Sequence, residues 1–264
     1  MNRNDDAREL SIYETTDKNG EAIIVADSGS AFQSASYLDS DKRYDLVFEY
    51  PKKFNRAFAL NPDARKMLIL GGGGYGYPKY VISHYPDVSV DVVEIDRQVY
   101  LMACEYFFLD ELIEEYELDI NHRFHNITAD AQEYLQKTGE KYDIIINDLY
   151  DDLDPVYSLL TLEACRGMKE HLNPNGVYVI NLAGYRNLNK TEYLLAVLRT
   201  LRECFENVQI VKAFYYPHTK TGNYVVFAGD GKTKLPEALA YSLDSCTVIT
   251  DTRELQKQYE KFLG

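Results

Sequence analysis

The sequence predicts an α/β protein: a Rossmann-like, mostly parallel sheet of seven strands with an antiparallel hairpin at its edge, preceded by a small antiparallel β unit. Three observations carry this expectation. The apolar run Met67 to Leu70 stops at four glycines, Gly71 to Gly74, with Gly76 two residues on. A second apolar run, Val88 to Val93, ends in Glu94 and Asp96. From there short apolar runs alternate with helical patterns. Strand, glycine turn, helix, strand and acid make the opening unit of a nucleotide-binding domain. The glycines let backbone approach the ligand, and a carboxylate about 20 residues later takes the ribose hydroxyls. Pro78 suits the first turn of a helix expected over Lys79 to Tyr85, because the N–H it lacks would have no helical partner there.

Before this unit, LSIYET, EAIIVA and FQSASYLD are three strand-like runs separated by the turns Asp17 to Gly20 and DSGS. Tyr44 to Leu60 has near-helical apolar spacing interrupted by Pro51, and Asn61-Pro62-Asp63 closes it. The main domain is therefore expected over 61–264, with 1–60 as the β unit and a connecting helix. Beyond Asp96 a helix is expected over Gln98 to Leu109, then an acidic, solvated helix face over Asp110 to Asp119. His122 to Thr128 reads as the third strand, Asp130 to Lys137 as a short helix and Tyr142 to Asn147 as the fourth strand. A helix over Tyr157 to His171 is stopped by Asn173-Pro174-Asn175-Gly176, before a fifth strand, Val177 to Leu182. Leu194, Val197, Leu198, Leu201, Cys204 and Phe205 line one helix face. Val208 to Ala213 and Tyr224 to Ala228, joined by a long loop, suit the edge hairpin. Leu235 to Gly264 reads as a short helix, a short strand and a closing helix.

Bulk properties narrow the function. A formal charge of −14 over 264 residues argues against nucleic acid, which is bound by clustered Lys and Arg, and suits a cationic substrate. Cys104, Cys165, Cys204 and Cys246 form no CxxC, which argues against a disulfide framework or zinc knuckle. His122 and His125, three apart on an expected strand, would point to opposite faces and not close on one metal ion. With a polar N-terminus and no apolar run near the ~18 residues of a spanning helix, a cytoplasmic protein off the membrane is expected. The 23 Tyr, with no Trp, are read as partly buried aromatic positions.

Ligands of an alternating βαβ sheet sit outside the carboxyl ends of its strands, where the strand order reverses. Gly71 to Gly76 follow the first strand, Glu94 ends the second, Asp130 follows the third and Asp148 the fourth, so all lie on one rim. The turn's N–H groups and the helix start favour an anionic group. Glu94 suits a ribose diol, Asp130 an adenine amine, and Asp148 is left for the substrate.

These residues resemble the spermidine synthase (polyamine aminopropyltransferase) family and its synthase-like relatives in the class I S-adenosylmethionine-dependent methyltransferase fold. The likeness covers nearly the whole chain: QSASYLD, LILGGGGYG, DVVEID, TADAQEYL, YDIIINDLYDD and LNPNGVYVINL. It implies a co-substrate, S-adenosylmethionine or its decarboxylated form, held by Gly71, Gly72, Gly73, Gly74 and Gly76, by Glu94 and Ile95, by Asp130 and Ala131, and by Gln33 on the nucleoside side. It further implies Asp148 at the catalytic position, Asp151 as a second acid of that loop, a small amine acceptor such as a polyamine, and a homodimer or homotetramer; from the residues themselves no metal is expected, and Tyr150 is expected either to orient the acceptor or to pack. The chain departs from the family at Gly74, where synthases carry an acid that suits a bare ammonium and repels a carboxylate. It departs again at Leu149 and Tyr150, where they carry two serines, and in FEYPKKF (Phe48 to Phe54), which lacks their His-Glu pair. Alkyl transfer, aminopropyl or methyl, to an amine is the leading expectation. A methyltransferase with another acceptor, a nicotinamide oxidoreductase and a non-catalytic nucleotide or polyamine binder stay open beside it.

Overall fold

The computed structural model describes residues 10–29, 32–151, 154–215, 220–243 and 246–263. Strands β1 (Ser11–Thr16), β2 (Ala22–Asp27) and β3 (Phe32–Tyr37) form an antiparallel meander, with Ser11 facing Asp27 and Ile23 facing Tyr37. Its first turn is tied by Asp17, whose Oδ1 accepts the N–H groups of Asn19 and Glu21 at 2.8 and 2.9 Å. Two short helices follow, α1 (Glu49–Phe54) and α2 (Arg56–Leu60). Pro51 falls in the first turn of α1, where a missing N–H costs nothing.

The second, larger sheet begins with β4 (Lys66–Leu70), then α3 (Gly76–His84) and β5 (Ser89–Glu94). After it come α4 (Arg97–Tyr106), α5 (Leu109–Glu115), α6 (Leu118–Asn121), β6 (Phe124–Thr128), α7 (Ala131–Lys137) and β7 (Tyr142–Asn147). The two-residue strands β8 (Tyr150–Asp151) and β9 (Asp154–Pro155) pair with each other. The chain ends with α8 (Leu162–Glu170), β10 (Leu172–Tyr185), α9 (Glu192–Arg202), β11 (Asn207–Tyr215), β12 (Thr221–Gly229) and α10 (Thr252–Leu263). The large sheet runs β11-β12-β10-β7-β4-β5-β6, antiparallel only where β12 meets β10 and β11. Its order reverses beside β4: the chain moves outward through β5 and β6, then returns to place β7 on the other flank. Brackets of apolar residues explain why the sheet is sunk between helices. Leu68 and Leu70 join the core on one face and Met67 and Ile69 that on the other, as do Ile145 against Ile144 and Ile146. Strands buried on both faces read as unbroken apolar runs, and each such Leu or Ile contributes roughly 1.5–3 kcal/mol on burial.

Several elements differ from the sequence reading. Helix α3 starts at Gly76 and not at Lys79, so Pro78 is its third residue. The helix expected from Gln98 breaks at Phe107, because Phe108 adopts a left-handed φ of 60° and starts α5. The acidic stretch is not solvated throughout: Leu109, Leu112 and Leu118 are buried, Glu111 pairs with Arg43, and Glu115 accepts a hydrogen bond from Tyr44 at 2.8 Å. His122 precedes β6, at φ 56°, so the two histidines do not alternate across a strand; their rings stack with centroids 6.4 Å apart. The helix expected from Tyr157 is a 3-10 turn followed by α8, capped by Thr161. Strand β10 runs 14 residues because the Asn173 to Gly176 segment is a bulge in it and not a turn before it. Strands β11 and β12 likewise extend into the expected loop. Among the described residues between Gly229 and Thr252 the expected short helix and strand do not form.

The N-terminal meander docks on the large sheet through β3 and α3. Lys79, 1% exposed, sends its ammonium to Ser36 Oγ at 2.6 Å and to the carbonyl of Phe107. No carboxylate accompanies it among these partners, and burial, aided by the charge of Arg43, lowers its pKa to about 7. Folding therefore favours the neutral amine. The native state binds less proton than the unfolded chain between about pH 7 and the lysine's ordinary value near 10.5, so Lys79 weighs against the fold at pH 7 and ceases to do so as pH rises through that window. Lys79→Met keeps the side-chain length without the charge. In urea unfolding, the natural protein should gain on this variant as pH goes from 7 to 10, by at most roughly 1.4 kcal/mol per pH unit. A difference independent of pH contradicts the assignment.

Candidate functional site

The glycine turn leaves β4 at the point where β4 and β7 diverge. Gly71 has φ +96°, and a Cβ built on it would lie 2.8 Å from the carbonyl oxygen of Asp148. Only glycine satisfies both demands, and the close approach puts the end of β7 against the turn. Gly74 is constrained differently: a Cβ there would sit 2.4 Å from Ser34 Cβ on β3. Between them, Gly72 donates its N–H to Glu94 Oε2 at 2.8 Å, while Glu94 Oε1 accepts the N–H of Asp96 at 2.9 Å. The carboxylate at the end of β5 thus faces the turn, pins it, and keeps a second lone pair on each oxygen for a ligand. Tyr75 closes the turn at φ 55°, a costly conformation for a bulky residue. Its ring is fully buried between Tyr100 and Phe124, and its hydroxyl donates to Asn126 Oδ1 at 2.6 Å.

Asp148 follows β7, with its N–H on the carbonyl of Leu70 at 3.1 Å. Its Oδ1 accepts from Asn181 Nδ2 at 2.9 Å and its Oδ2 from the Tyr50 hydroxyl at 3.1 Å. Burial pushes the Asp148 carboxyl above the ordinary range, and the two donors pull the other way. Asn181 is itself fixed: its Oδ1 accepts from Asn223 at 3.0 Å, and its backbone carbonyl accepts from the Tyr150 hydroxyl at 3.0 Å. Burial raises the pKa of Tyr50 and Tyr150 well above that of a free phenol, so both are donors at neutral pH. The result is a half-buried carboxylate fixed by two donors beside the glycine turn, with unused lone pairs.

The remaining residues singled out from sequence fall around this centre. Asp130 caps α7, its Oδ1 accepting the Glu133 N–H at 2.9 Å, and Ala131 is buried behind it. The preceding residue, Ala129, donates its N–H to the carbonyl of Glu94 at 3.1 Å, which ties the ends of β5 and β6 together. Ile95 is 52% exposed, an apolar side chain open at the rim. Gln33 lies on β3 next to Ser34, its amide donating to Ser28 Oγ at 3.2 Å. Gly76 opens α3 with no steric need to be glycine. Tyr150 points at Asn181. The backbone of Asp151 pairs with Asp154, and its side chain lies outside the described residues.

Three site residues were missed from sequence. Tyr50 lies in FEYPKKF, a segment read for its helical apolar spacing and for the pair it lacks. Asn181 lies inside β10, where a lone amide in the apolar run VYVINL was the available signal. Ser34 sits one residue beyond Gln33 with no signal in sequence at all. Replacing Glu94 by Gln should cost about 1–3 kcal/mol of stability in urea unfolding, since one of two buried N–H groups then faces an NH2. Unchanged stability would mean that the turn does not depend on that carboxylate.

A mostly parallel seven-stranded sheet with this antiparallel edge, and a small β meander ahead of it, defines the class: the fold of class I methyltransferases. Residues 55–237 match the spermine/spermidine synthase domain, and the chain belongs to that family. It is 32% identical over 162 residues to a polyamine aminopropyltransferase of Vibrio vulnificus, covering 60% of this chain and 50% of that one. It is also 32% identical over 171 residues to the Thermococcus kodakarensis enzyme of the same name, covering 64% and 56%. The chain thus spans about half the length of these relatives. Among solved structures it is similar to a probable spermidine synthase from Corynebacterium glutamicum. The TM-score is 0.60 at 19% identity, covering 94% of this chain and 83% of that one, a likeness of fold.

Proposed function

We propose that the protein transfers an alkyl group from the sulfonium of an S-adenosyl nucleotide to a small amine. One observation carries this reading: the half-buried Asp148 carboxylate held by Tyr50 and Asn181 against the glycine turn that Glu94 braces. The exposed Ile95 offers an apolar face for adenine, Glu94 has spare lone pairs for the ribose hydroxyls, and Asp130, the cap of α7 just after the neighbouring strand, would lie on the adenine side. Membership of the spermine/spermidine synthase family supports the same chemistry, and the chain's charge of −14 supports a cationic acceptor, a polyamine or its precursor.

An alkyl amine with a pKa near ~10.4 arrives as an ammonium. In this reading Asp148 receives it, because a partly desolvated carboxylate attracts a cation more strongly than one in open water, and its raised pKa brings it closer to taking the proton. The freed lone pair attacks the carbon on sulfur. The C–N bond forms as the C–S bond breaks, sulfur keeps the electron pair as a neutral thioether, and the proton rests on Asp148 before passing to water. Alignment of nitrogen, carbon and sulfur supplies much of the acceleration. Tyr150, anchored on Asn181, walls the acceptor side, and Asp151 is a second acid on the same loop.

Asp148→Asn should lower turnover about 10²–10⁴-fold while leaving nucleotide affinity within a fewfold; parallel loss of both sinks the assignment. The working form is the carboxylate, so activity should fall as pH drops through the raised pKa of Asp148. Tyr50→Phe removes a donor that holds that pKa down, and the acid limb of the rate profile should move to higher pH. A limb that stays in place would show that another group titrates.

A further inference from the structure

The Asn181 carboxamide is 5% exposed and sits between two partners: its Nδ2 donates to Asp148 Oδ1 at 2.9 Å, and its Oδ1 accepts from Asn223 Nδ2 at 3.0 Å. In the ladder of β10 and β12, Ala183 faces Asn223 and Asn181 faces Val225, so the two asparagines are diagonal neighbours on one face of the sheet. Strand β11 bulges at the same level, leaving Ala213 between the Lys212–Tyr224 and Phe214–Asn223 pairs. A carboxamide has a donor end and an acceptor end, and a half-turn of its last torsion exchanges them. Asp148 as a carboxylate only accepts, so it takes the NH2 end of Asn181 and leaves the oxygen to Asn223. A protonated Asp148 donates, so it takes the oxygen end and leaves the NH2 for the oxygen of Asn223. When both amides turn together, the chain keeps every hydrogen bond in either state.

We propose that Asn181 and Asn223 form a reversible amide relay, in which Asn223 is a positioning residue that acts on Asp148 through Asn181 and lets the carboxyl take up and release the acceptor's proton without breaking the chain. This rests on the reading of Asp148 as the group that receives that proton. The proton leaves the acceptor's nitrogen and settles on the carboxyl, both amides turn, and release of the proton to water turns them back. The backbone of Asn181 stays in place meanwhile, because its carbonyl is held by the Tyr150 hydroxyl at 3.0 Å. Tyr50 keeps its hydrogen bond to Oδ2 in both states. Among the described residues the titratable groups facing Asp148 are Tyr50 from α1 and Tyr150 from β8, both phenols at neutral pH. Neutral amides, and not a counter-charge, therefore set how readily this carboxyl changes state. A one-way brace at this position would hold the carboxylate and resist the proton; a pair of amides serves both forms.

The test is the titration of Asp148 in the full chain, read by NMR on protein carrying carboxyl-labelled aspartate and assigned by the signal lost in Asp148→Asn. Two substitutions of similar size divide the possibilities. Asn223→Asp offers only an acceptor, so it holds Asn181 with its oxygen toward Asp148, and the Asp148 titration should move up by at least about one pH unit. Asn223→Leu favours neither orientation and should leave it within about half a unit. In an Asn181→Leu background the effect of Asn223→Asp should shrink to the through-space repulsion between two carboxylates, less than half of its former size. An upward shift in Asn223→Leu equal to that in Asn223→Asp would show a one-way brace and overturn the relay. A shift in Asn223→Asp that survives undiminished in the Asn181→Leu background overturns it too, as does no shift at all. The titration needs no substrate, so it separates the two readings. The expected shifts in a protein that alkylates no amine leave the relay standing and remove the transferase, whereas turnover with an Asp148 titration indifferent to position 223 removes the relay alone.

Discussion

The structure depends on the contact between Gly71 and the carbonyl of Asp148. At the divergence of β4 and β7 a positive φ and a missing Cβ let two chain segments touch where any other residue would hold them apart. That approach brings the turn next to the half-buried Asp148 carboxylate. Strand order explains why it happens there: the chain leaves β4 toward β5 on one side and comes back to β7 on the other, so the loops part and a crevice opens between them.

Around that contact each layer holds the next. Glu94 bridges the turn and the start of α4, so the carboxylate proposed to take the ribose hydroxyls is also a structural brace. Asn181 and Tyr50 fix Asp148, and Asn223 and Tyr150 fix Asn181. Such a network is costly to bury unless every member is met, which keeps it rigid. A similar economy governs Asp91, buried in the middle of β5. It accepts the Tyr142 hydroxyl at 2.8 Å and pairs with His125, and Tyr142 shares a 2.6 Å hydrogen bond with Tyr134. Some of the chain's many tyrosines therefore act as long hydroxyl donors reaching buried acceptors from apolar positions.

The meander ahead of the large sheet belongs to the site as much as to the fold. Its strand β3 gives Ser36 to the buried Lys79 and Ser34 to the glycine turn, two residues apart on one face of the strand. A buried lysine held by a hydroxyl and a carbonyl is an expensive anchor, and it ties the position of Ser34 to the start of α3.

The sequence by itself determined the sheet, the glycine turn and the placing of Glu94, Asp130 and Asp148 at strand ends. Those features are local: apolar runs of strand length, glycines where backbone must turn, acids where runs stop. Its errors were local as well. A left-handed Phe108 broke a helix that periodicity alone would continue, and Asn173 to Gly176 became a bulge because β10 keeps its pairing partners on both sides of it. Only the tertiary structure decided what surrounds Asp148 and Gly74. Tyr50, Asn181 and Ser34 lie 98, 33 and 40 positions from the residues they meet, and contact across such distances is set by how β3, α1 and β10 pack, information that no spacing in the chain carries.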